Sequence, residues 1–222
     1  METERVFNYT PQEIEKFRGK WIVIEGPDRI GKTTLINALV QKFTDLGLDV
    51  MSNGFPRRNT TIGQILDKSL KVKEDEKTLS GKTQTMLFLS DMMDSMGSIK
   101  QFLESGGIVL TDRYVMSTYA YALAQYSDTI SKEWLHNAIS LLPEPSLYVL
   151  LTPMDMSLDF IAKRSGYGNE NTERMDIQQR VLSHMVEYSK TQKYVVDVIV
   201  GEYTTTTTIC DLFVLPRILN HL

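Results

Sequence analysis

Residues 21–33 read WIVIEGPDRIGKT, and this run sets the architecture expected for the whole chain. Its first half, from Trp21 to Glu25, is a short apolar segment that ends at Gly26. Its second half leads through a glycine-containing turn into residues 33–43, where apolar side chains recur at helical spacing. The pattern predicts a buried strand, a loop and a helix, in that order.

The same alternation of strand and helix continues along the chain. Apolar runs predict four further strands, at 48–53, 106–112, 146–151 and 194–200. Helical periodicity predicts helices at 62–70, 78–106, 116–125, 132–141, 155–164 and 174–190, and a last helix that reaches the C-terminus with Thr208 as its cap. Because nearly continuous apolar strands are buried on both faces, we expect an α/β fold of three layers, with a five-stranded parallel sheet covered by helices on both sides.

Length and composition limit the organisation of the chain. A chain of 222 residues with 42% hydrophobic content can bury one sizeable core. We expect a polar N-terminal extension at 1–18, with a helical turn after Pro11, followed by a single domain at 19–222. One cysteine excludes an internal disulfide, and three scattered histidines give no structural zinc pattern.

Charge and hydropathy exclude several classes of function. The net charge of −4 argues against a protein that coats nucleic acid, since such proteins usually present a basic surface. No apolar run reaches the roughly 18–20 residues of a membrane helix, and the first residues lack the apolar stretch of a secretory signal. We therefore expect an intracellular, cytoplasmic protein without a membrane or nucleic-acid partner, whose ligands are small molecules.

The turn after the first strand matches a phosphate-binding pattern. The segment from Gly26 to Thr33 fits G-x-x-x-x-G-K-[ST], and it lies between a predicted strand and a predicted helix, as this loop requires. Exposed amides at the helix start bind phosphate oxygens, Lys32 reaches the β- and γ-phosphates, and the Thr33 hydroxyl ligates Mg²⁺. The expected nucleotide-binding residues of this P-loop NTPase fold are Gly26, Asp28, Arg29, Ile30, Gly31, Lys32, Thr33 and Thr34. The pattern alone does not separate a kinase from a GTPase switch or a motor ATPase.

Two arginines follow the second predicted strand. Arg57 and Arg58 stand at the carboxyl edge of the sheet, where ligands of open α/β folds bind, and no Asp or Glu lies between Asp49 and Asp67. A kinase that phosphorylates a hydroxyl benefits from a carboxylate base, whereas an acceptor that is already a phosphate needs cations instead. The pair therefore favours a phosphorylated acceptor, and the alternative is a solvated basic turn.

The third strand brings Asp112 and Arg113 to the same edge. Asp112 can position Mg²⁺, directly or through water, and Arg113 can bind a phosphate with paired hydrogen bonds. The alternative is a buried salt bridge between the two side chains.

These segments together resemble one known family. EGPDRIGKTT, FPRR, DRY and AKRSGYGNENTE, in this order and at these intervals, are similar to thymidylate kinases, and the resemblance covers roughly residues 20–200. It implies a P-loop nucleoside monophosphate kinase that transfers the γ-phosphoryl group of ATP to dTMP, giving dTDP for dTTP synthesis, with ATP and Mg²⁺ as cofactors. It also implies a homodimer.

The resemblance implies a role for several residues. Asp28 receives the 3′-hydroxyl of the acceptor sugar, and Arg29 is the catalytic arginine that some members carry in this loop. Phe88 stacks on the base, and Tyr121 crowds the sugar 2′ position; from the residues alone, core packing is the alternative for both. The implied catalytic residues are Arg29, Lys32, Asp112 and Arg113, and the implied acceptor-binding residues are Asp28, Phe55, Pro56, Arg58, Phe88, Met92, Arg113, Ser117, Thr118, Tyr121 and Glu173.

Met92 is a departure from the family pattern. Four residues after Phe88 the family usually has an arginine that hydrogen-bonds the base, and its loss weakens discrimination by hydrogen bonding. Acceptance of dUMP or dGMP is therefore an open alternative. Two further alternatives are a deoxynucleoside kinase and a nucleotide-binding module without catalysis.

Two larger features complete the expectations. We expect a lid at about 163–174 that closes over the phosphates, with Arg164 contacting ATP and two glycines supplying freedom for closure. The alternative is a mobile surface loop. The long helix at 78–106 carries an apolar stripe that fits either a homodimer interface or core packing, formed by Met86, Leu87, Leu89, Met92, Met93 and Met96.

Overall fold

The computed structural model describes residues 9–72, 79–156, 158, 174–201 and 204–221. Five parallel strands form one sheet, in the order β2–β3–β1–β4–β5. The strands are β1 (Trp21–Glu25), β2 (Val50–Gly54), β3 (Ile108–Asp112), β4 (Leu147–Pro153) and β5 (Val195–Val200). This confirms the predicted five-stranded parallel sheet. Because Gly54 of β2 and Ile24 of β1 both pair with Asp112, the carboxyl ends of three strands meet at one edge.

Helices account for most of the remaining described residues. They are α1 (Pro11–Glu15), α2 (Lys32–Asp45), α3 (Thr61–Lys71), α4 (Gly81–Glu104), α5 (Val115–Tyr126), α6 (Lys132–Ile139), α7 (Met175–Ser189), α8 (Thr206–Thr208) and α9 (Leu215–His221). A 3₁₀ turn at Met154–Met156 follows β4, and a π-helical segment at Ile209–Val214 joins α8 to α9. The helices predicted between residues 33 and 141 and at 174–190 are present. The helix predicted at 155–164 lies largely outside the described residues.

The C-terminal segment differs from the expectation of one capped helix. Thr205 is the capping residue instead of Thr208, because its side chain accepts a hydrogen bond from the Thr208 amide at 3.2 Å. The backbone then passes through the π-helical segment, where Ile209, Cys210 and Val214 are buried. The spacing from Thr208 to Asp211 therefore does not mark the start of a helix here.

The two faces of the sheet carry separate hydrophobic cores. Alternate residues of β1 point to opposite sides, so that Ile22 and Ile24 join one core while Trp21 and Val23 join the other. The first core includes α2 and the C-terminal segments, and the second includes α4, α5, α6 and α7. Phe17, which lies in the expected N-terminal extension, is buried in the first core. Within the described ranges, no helix has the length and apolar character needed to cross a membrane.

Candidate active site

The phosphate-binding loop connects β1 to α2 at the carboxyl edge of the sheet. Gly26 has φ 144°, and a β-carbon there would lie 2.7 Å from the Leu151 carbonyl oxygen, so only glycine fits. Gly31, with φ 117°, is the N-cap of α2, so the first amides of that helix face the cavity edge. This is the anion-binding geometry that the sequence pattern predicts.

Lys32 is nearly fully buried beneath this loop. Its ammonium group donates to the carbonyl oxygens of Gly26 at 3.2 Å and Pro27 at 2.8 Å. Burial, followed by the nearby positive charge of Arg113, lowers the pKa of Lys32 to about 8. A bound polyphosphate would supply the negative charge that favours the protonated form.

Arg29 lies in the loop with its backbone in the left-handed region, at φ 61°. This conformation is uncommon for a residue with a long side chain, and such outliers concentrate at functional sites. Its side chain lines the same cavity as Lys32 and Thr33. The loop therefore presents a second cation where the donor phosphates are expected.

Asp28 is the centre of a hydrogen-bond network that joins three elements. Its carboxylate accepts from Arg113, from the Tyr121 hydroxyl at 2.7 Å and from the Gln178 side-chain amide at 2.7 Å. The Asp28 backbone amide donates to the Gln178 carbonyl oxygen at 2.9 Å. Burial opposes ionisation of Asp28, but the charges of Arg113 and Lys32 outweigh it and lower the pKa of this carboxyl.

Arg113 does not form the salt bridge with Asp112 that the sequence left open. Its backbone is left-handed, at φ 68°, and its guanidinium donates to the Gly26 carbonyl oxygen at 3.1 Å and the Ser117 hydroxyl at 3.0 Å as well as to Asp28. The guanidinium also lies over the Tyr121 ring, 5.4 Å from its centroid. Arg113 is thus held between the phosphate-binding loop and α5.

Asp112 and Thr33 fit an oxygen-coordinated cation. The Thr33 hydroxyl donates to Asp112 Oδ2 at 3.0 Å, whereas Asp112 Oδ1 is buried without a hydrogen-bond partner among the described residues. A buried carboxylate oxygen without a donor is costly unless a ligand completes its environment. Mg²⁺ prefers one or two protein oxygens together with water and phosphate oxygens, and this pair provides them.

Glu25, at the end of β1, ties the loop to α5. Its side chain is fully buried and accepts from the backbone amides of Tyr114 at 2.8 Å and Ser117 at 3.1 Å, and from the Ser117 hydroxyl. Burial raises the pKa of Glu25 to about 7, although these hydrogen bonds and the charge of Arg113 oppose the rise. The carboxyl thus caps the start of the helix that carries Ser117 and Tyr121.

The two arginines after β2 have different surroundings. Arg57 donates from its backbone amide at 2.7 Å and from Nε at 3.1 Å to Asp91, whose side chain is fully buried in α4. Arg58 lies 2.9 Å from Asp67 and lines the cavity. Arg58 is therefore the one positioned to contact an acceptor phosphate, whereas Arg57 fastens the loop to α4.

One face of α4 forms a wall of the cavity. Gln84, Phe88 and Met92 follow each other at intervals of one helical turn, and all three line it. Phe88 is half-buried, while Met92 is almost fully buried in the second core. The opposite wall consists of residues of α5, including Ser117, Thr118 and Tyr121.

Nearly all of the residues expected from the sequence meet in this cavity of about 690 Å³. Those that line it are Asp28, Arg29, Gly31, Lys32, Thr33, Thr34, Phe55, Pro56, Arg58, Phe88, Met92, Asp112, Arg113, Ser117, Thr118 and Tyr121. Gly26 and Ile30 are not among its lining residues, and the Ile30 side chain is buried in the first core. Arg164, Glu173 and the expected lid at 163–174 lie outside the described residues, apart from Arg174 at its end.

Sequence reasoning did not assign a role to several polar residues of the site. Gln178 hydrogen-bonds Asp28 across 150 positions of the chain, and nothing in its local sequence signals that contact. Glu25 reads as part of an apolar strand, although an acidic residue at a strand end beside a phosphate loop was a usable signal. Gln84 has the same helical phase as Phe88, which identifies it as a cavity residue once Phe88 is placed there.

Comparison with known proteins points to one family. The family model described as thymidylate kinase matches residues 24–205. Among curated relatives, the thymidylate kinase of Plasmodium falciparum is 34% identical over 75% of this chain and 76% of its own length. Those of Danio rerio (35% identical, 77% and 76% covered) and Homo sapiens (32% identical, 74% of each covered) are similar. The solved thymidylate kinase of Candida albicans, reported to have broad substrate specificity, superposes with a TM-score of 0.74 at 30% identity over 88% of this chain and 91% of that chain.

Proposed function

The chain belongs to the thymidylate kinase family, and on this basis we propose how its own residues bind and activate the two substrates. The enzyme is a phosphotransferase that moves the γ-phosphoryl group of ATP to dTMP, a step of nucleotide biosynthesis. The bond from Pγ to the β,γ-bridging oxygen breaks, and a bond forms from Pγ to a 5′-phosphate oxygen of dTMP. The products are ADP and dTDP.

One observation supports this division of roles: the phosphate-binding loop and the arginine after β2 open into one cavity. The donor residues Lys32 and Arg29 and the acceptor residue Arg58 all line it. A loose phosphoryl-transfer transition state needs positioning and charge compensation more than a base. The site provides cations from both substrates' sides. The described turn after β2, residues 55–60, contains no Asp or Glu that could act as a base.

We assign the donor side to the loop. The first amides of α2 and the Lys32 ammonium bind the β- and γ-phosphates, and Arg29 neutralises charge on the transferring group. Thr33 and Asp112 hold Mg²⁺, which offsets phosphate charge and orients the polyphosphate when bound. We also assign Arg164, in the lid proposed at 163–174, to the contact with ATP.

The acceptor side uses residues of β2, α4 and α5. Arg58 and Arg113 bind the 5′-phosphate. The Asp28 carboxylate accepts a hydrogen bond from the sugar 3′-hydroxyl, and Tyr121 fills the space beside the 2′ carbon. Phe88 stacks on the base. The remaining members of the acceptor pocket are Phe55, Pro56, Met92, Ser117 and Thr118, with Glu173 assigned from the family pattern.

The acceptor class is tested by comparing dTMP with thymidine at fixed ATP. We expect turnover of dTMP and none of thymidine, because the site offers arginines for a phosphate in place of a base for a hydroxyl. Faster turnover of thymidine would instead identify a deoxynucleoside kinase. Absence of turnover with every monophosphate would identify a binding module without catalysis.

The role of Arg29 is tested by Arg29→Ala. Loss of one cation from the transition state should lower kcat by about 100- to 1,000-fold while the KM for dTMP changes only a few-fold. Arg18→Ala is the matched control, since Arg18 is paired with Glu15 at 2.9 Å and precedes β1, at the opposite edge of the sheet. Wild-type kcat in Arg29→Ala would remove the catalytic assignment.

Assembly and location complete the proposal. Leu89 and Met92 of the α4 stripe are buried in the core, whereas Met86 and Met93 are 39% and 36% exposed, which supports a homodimer through α4. Sedimentation velocity of the wild type and Met93→Glu would test this, with a shift to monomer expected in the variant. We also propose a cytoplasmic location, where ATP is available as the donor.

A further inference from the structure

A buried amide, that of Gln84, lines the cavity beside Phe88. It lies one turn before Phe88 on α4, lines the cavity and is only 6% exposed. Met92, one turn after Phe88, offers a thioether that cannot donate a hydrogen bond. Gln84 is therefore the residue of this helical face that can both donate and accept beside the stacked base.

Neighbouring residues fix which way the Gln84 amide points. The Ser69 hydroxyl donates to the Leu66 carbonyl oxygen at 2.8 Å, so its oxygen is left to accept from Gln84 Nε2 at 3.0 Å. The Gln84 oxygen consequently faces Tyr126, whose hydroxyl donates to it at 2.8 Å. This relay from α3 through α4 to α5 gives the amide one orientation.

The amide keeps unused hydrogen-bonding capacity on the described part of the chain. A primary amide has two N–H groups and two carbonyl lone pairs, and Ser69 and Tyr126 use one of each. One N–H and one lone pair are left in a site that a planar ligand can reach. A buried donor and acceptor of this kind discriminate strongly, because a ligand with the wrong pattern leaves both unpaired.

We propose that Gln84 reads the acceptor base and selects bases that carry a carbonyl beside a ring N–H. The Gln84 N–H donates to the exocyclic carbonyl oxygen, and its carbonyl oxygen accepts from the ring N–H. Thymine, uracil and guanine share this edge, whereas cytosine and adenine have an exocyclic amine beside an unprotonated nitrogen. The inference rests on the proposed function, since it concerns the base of the phosphate acceptor.

Two other polar residues of the cavity, Thr85 of α4 and Gln125 of α5, are less suited to the task. The Thr85 hydroxyl donates to the Gly81 carbonyl oxygen at 2.8 Å, which leaves it only as an acceptor. Gln125 lines the cavity but is half-buried, and its amide donates to the Tyr121 carbonyl oxygen at 3.3 Å. Gln125 is therefore the other residue that could hydrogen-bond the base, and its variant is compared with that of Gln84.

The test is kcat/KM for dTMP, dUMP, dGMP and dCMP at saturating ATP, with the full chain. The wild type should prefer dTMP, dUMP and dGMP over dCMP by at least about 100-fold. Gln84→Leu should lower kcat/KM for dTMP by about 10- to 100-fold and reduce the dTMP/dCMP ratio to within a few-fold of one. Gln84→Glu, which keeps the acceptor and removes the N–H, should favour dCMP over dTMP.

Tyr126→Phe provides a second variant that is expected to fold. The Tyr126 ring packs so closely on Gly81 that a β-carbon there would lie 2.4 Å from it, and this substitution keeps the ring. Without the Tyr126 hydroxyl, the Gln84 amide can rotate by 180° and exchange its oxygen and nitrogen. The ratio of kcat/KM for dTMP to that for dCMP should therefore fall by about 10-fold, while kcat for dTMP is retained. Its KM for ATP reports whether the donor site is intact.

Three results would overturn the inference: equal use of dCMP and dTMP by the wild type, an unchanged dTMP/dCMP ratio in Gln84→Leu and Tyr126→Phe, or a loss of that ratio in Gln125→Leu alone. Each of these presupposes that the wild type phosphorylates a monophosphate. Failure of the proposed function has a different signature, since no acceptor would then be turned over.

Discussion

Asp28 shows how single residues of this site depend on a distant partner. Its carboxylate would be costly to bury alone, but Arg113 supplies charge and Tyr121 and Gln178 supply hydrogen bonds. Gln178 also accepts from the Asp28 amide, so one side chain of α7 fixes both the backbone and the carboxylate of the loop residue. Gln178 acts as a positioning residue in this arrangement.

Gln178→Ala should raise the KM for dTMP by about 10-fold, since removal of a buried hydrogen-bond partner costs about 1–3 kcal/mol. The effect should be smaller for the dideoxy analogue of dTMP, because that acceptor lacks the 3′-hydroxyl assigned to Asp28. Gln179→Ala is the matched control, as Gln179 is exposed and contacts the Met156 carbonyl oxygen at 3.4 Å. Equal losses with both acceptors would mean that Gln178 only stabilises the fold.

At the scale of elements, the turn after β2 is held between α3 and α4. Arg57 is bound to Asp91 of α4, and Thr60 caps α3 while donating to the Arg57 carbonyl oxygen at 2.9 Å. Gly63 packs on the same carbonyl group, where a β-carbon would lie 1.9 Å from the oxygen. The position of Arg58 therefore depends on how closely the start of α3 approaches this turn.

Gly63→Ala should destabilise the protein by about 2–3 kcal/mol and raise the KM for dTMP, because the α3 backbone must move away from the turn. Gln64→Ala is the matched control on α3, since Gln64 follows Gly63 and is exposed. It should change the free energy of unfolding by less than about 0.5 kcal/mol, because Gln and Ala have similar helix propensities. Urea unfolding and dTMP kinetics of both variants measure these effects, and a Gly63→Ala variant as stable as the wild type would contradict the account.

The elements also show what local sequence can predict. Apolar runs such as Trp21–Glu25 and Leu147–Pro153 are recognisable because burial on both faces leaves a continuous hydrophobic signal. The glycine-lysine-threonine pattern predicted the phosphate-binding loop, because phosphate binding requires these residue types at this spacing. The family resemblance named Arg58 as the acceptor arginine. The contact that holds Arg57 was not readable from local pattern, because it depends on Asp91, 34 positions away. Side-chain partners across elements carry no local periodicity.

For the whole molecule, the architecture could be predicted from the sequence, whereas contacts between distant side chains could not. The three-layer architecture follows from alternating apolar strands and helices, and the separate cores on the two faces of β1 follow from strand geometry. The packing of Phe17 against Phe43, 5.2 Å between ring centroids, was not visible in a segment that reads as polar. Glu25 was missed for a related reason, since its neighbours make the strand look uniformly apolar.

Ionisation of the buried Glu25 side chain makes the stability of the whole protein depend on pH. With its pKa at about 7 in the folded state against about 4.5 unfolded, the folded chain holds a proton that the unfolded chain has released between those values. Stability should therefore fall as pH rises from about 4.5 to 7, by about 3 kcal/mol, and stay at the lower value above that window. Glu25→Gln should remove this dependence, whereas Glu104→Gln, on the exposed end of α4, should retain it. Urea unfolding at pH 5, 6, 7 and 8 measures the difference, and parallel pH profiles for the wild type and Glu25→Gln would show that Glu25 is ionised throughout.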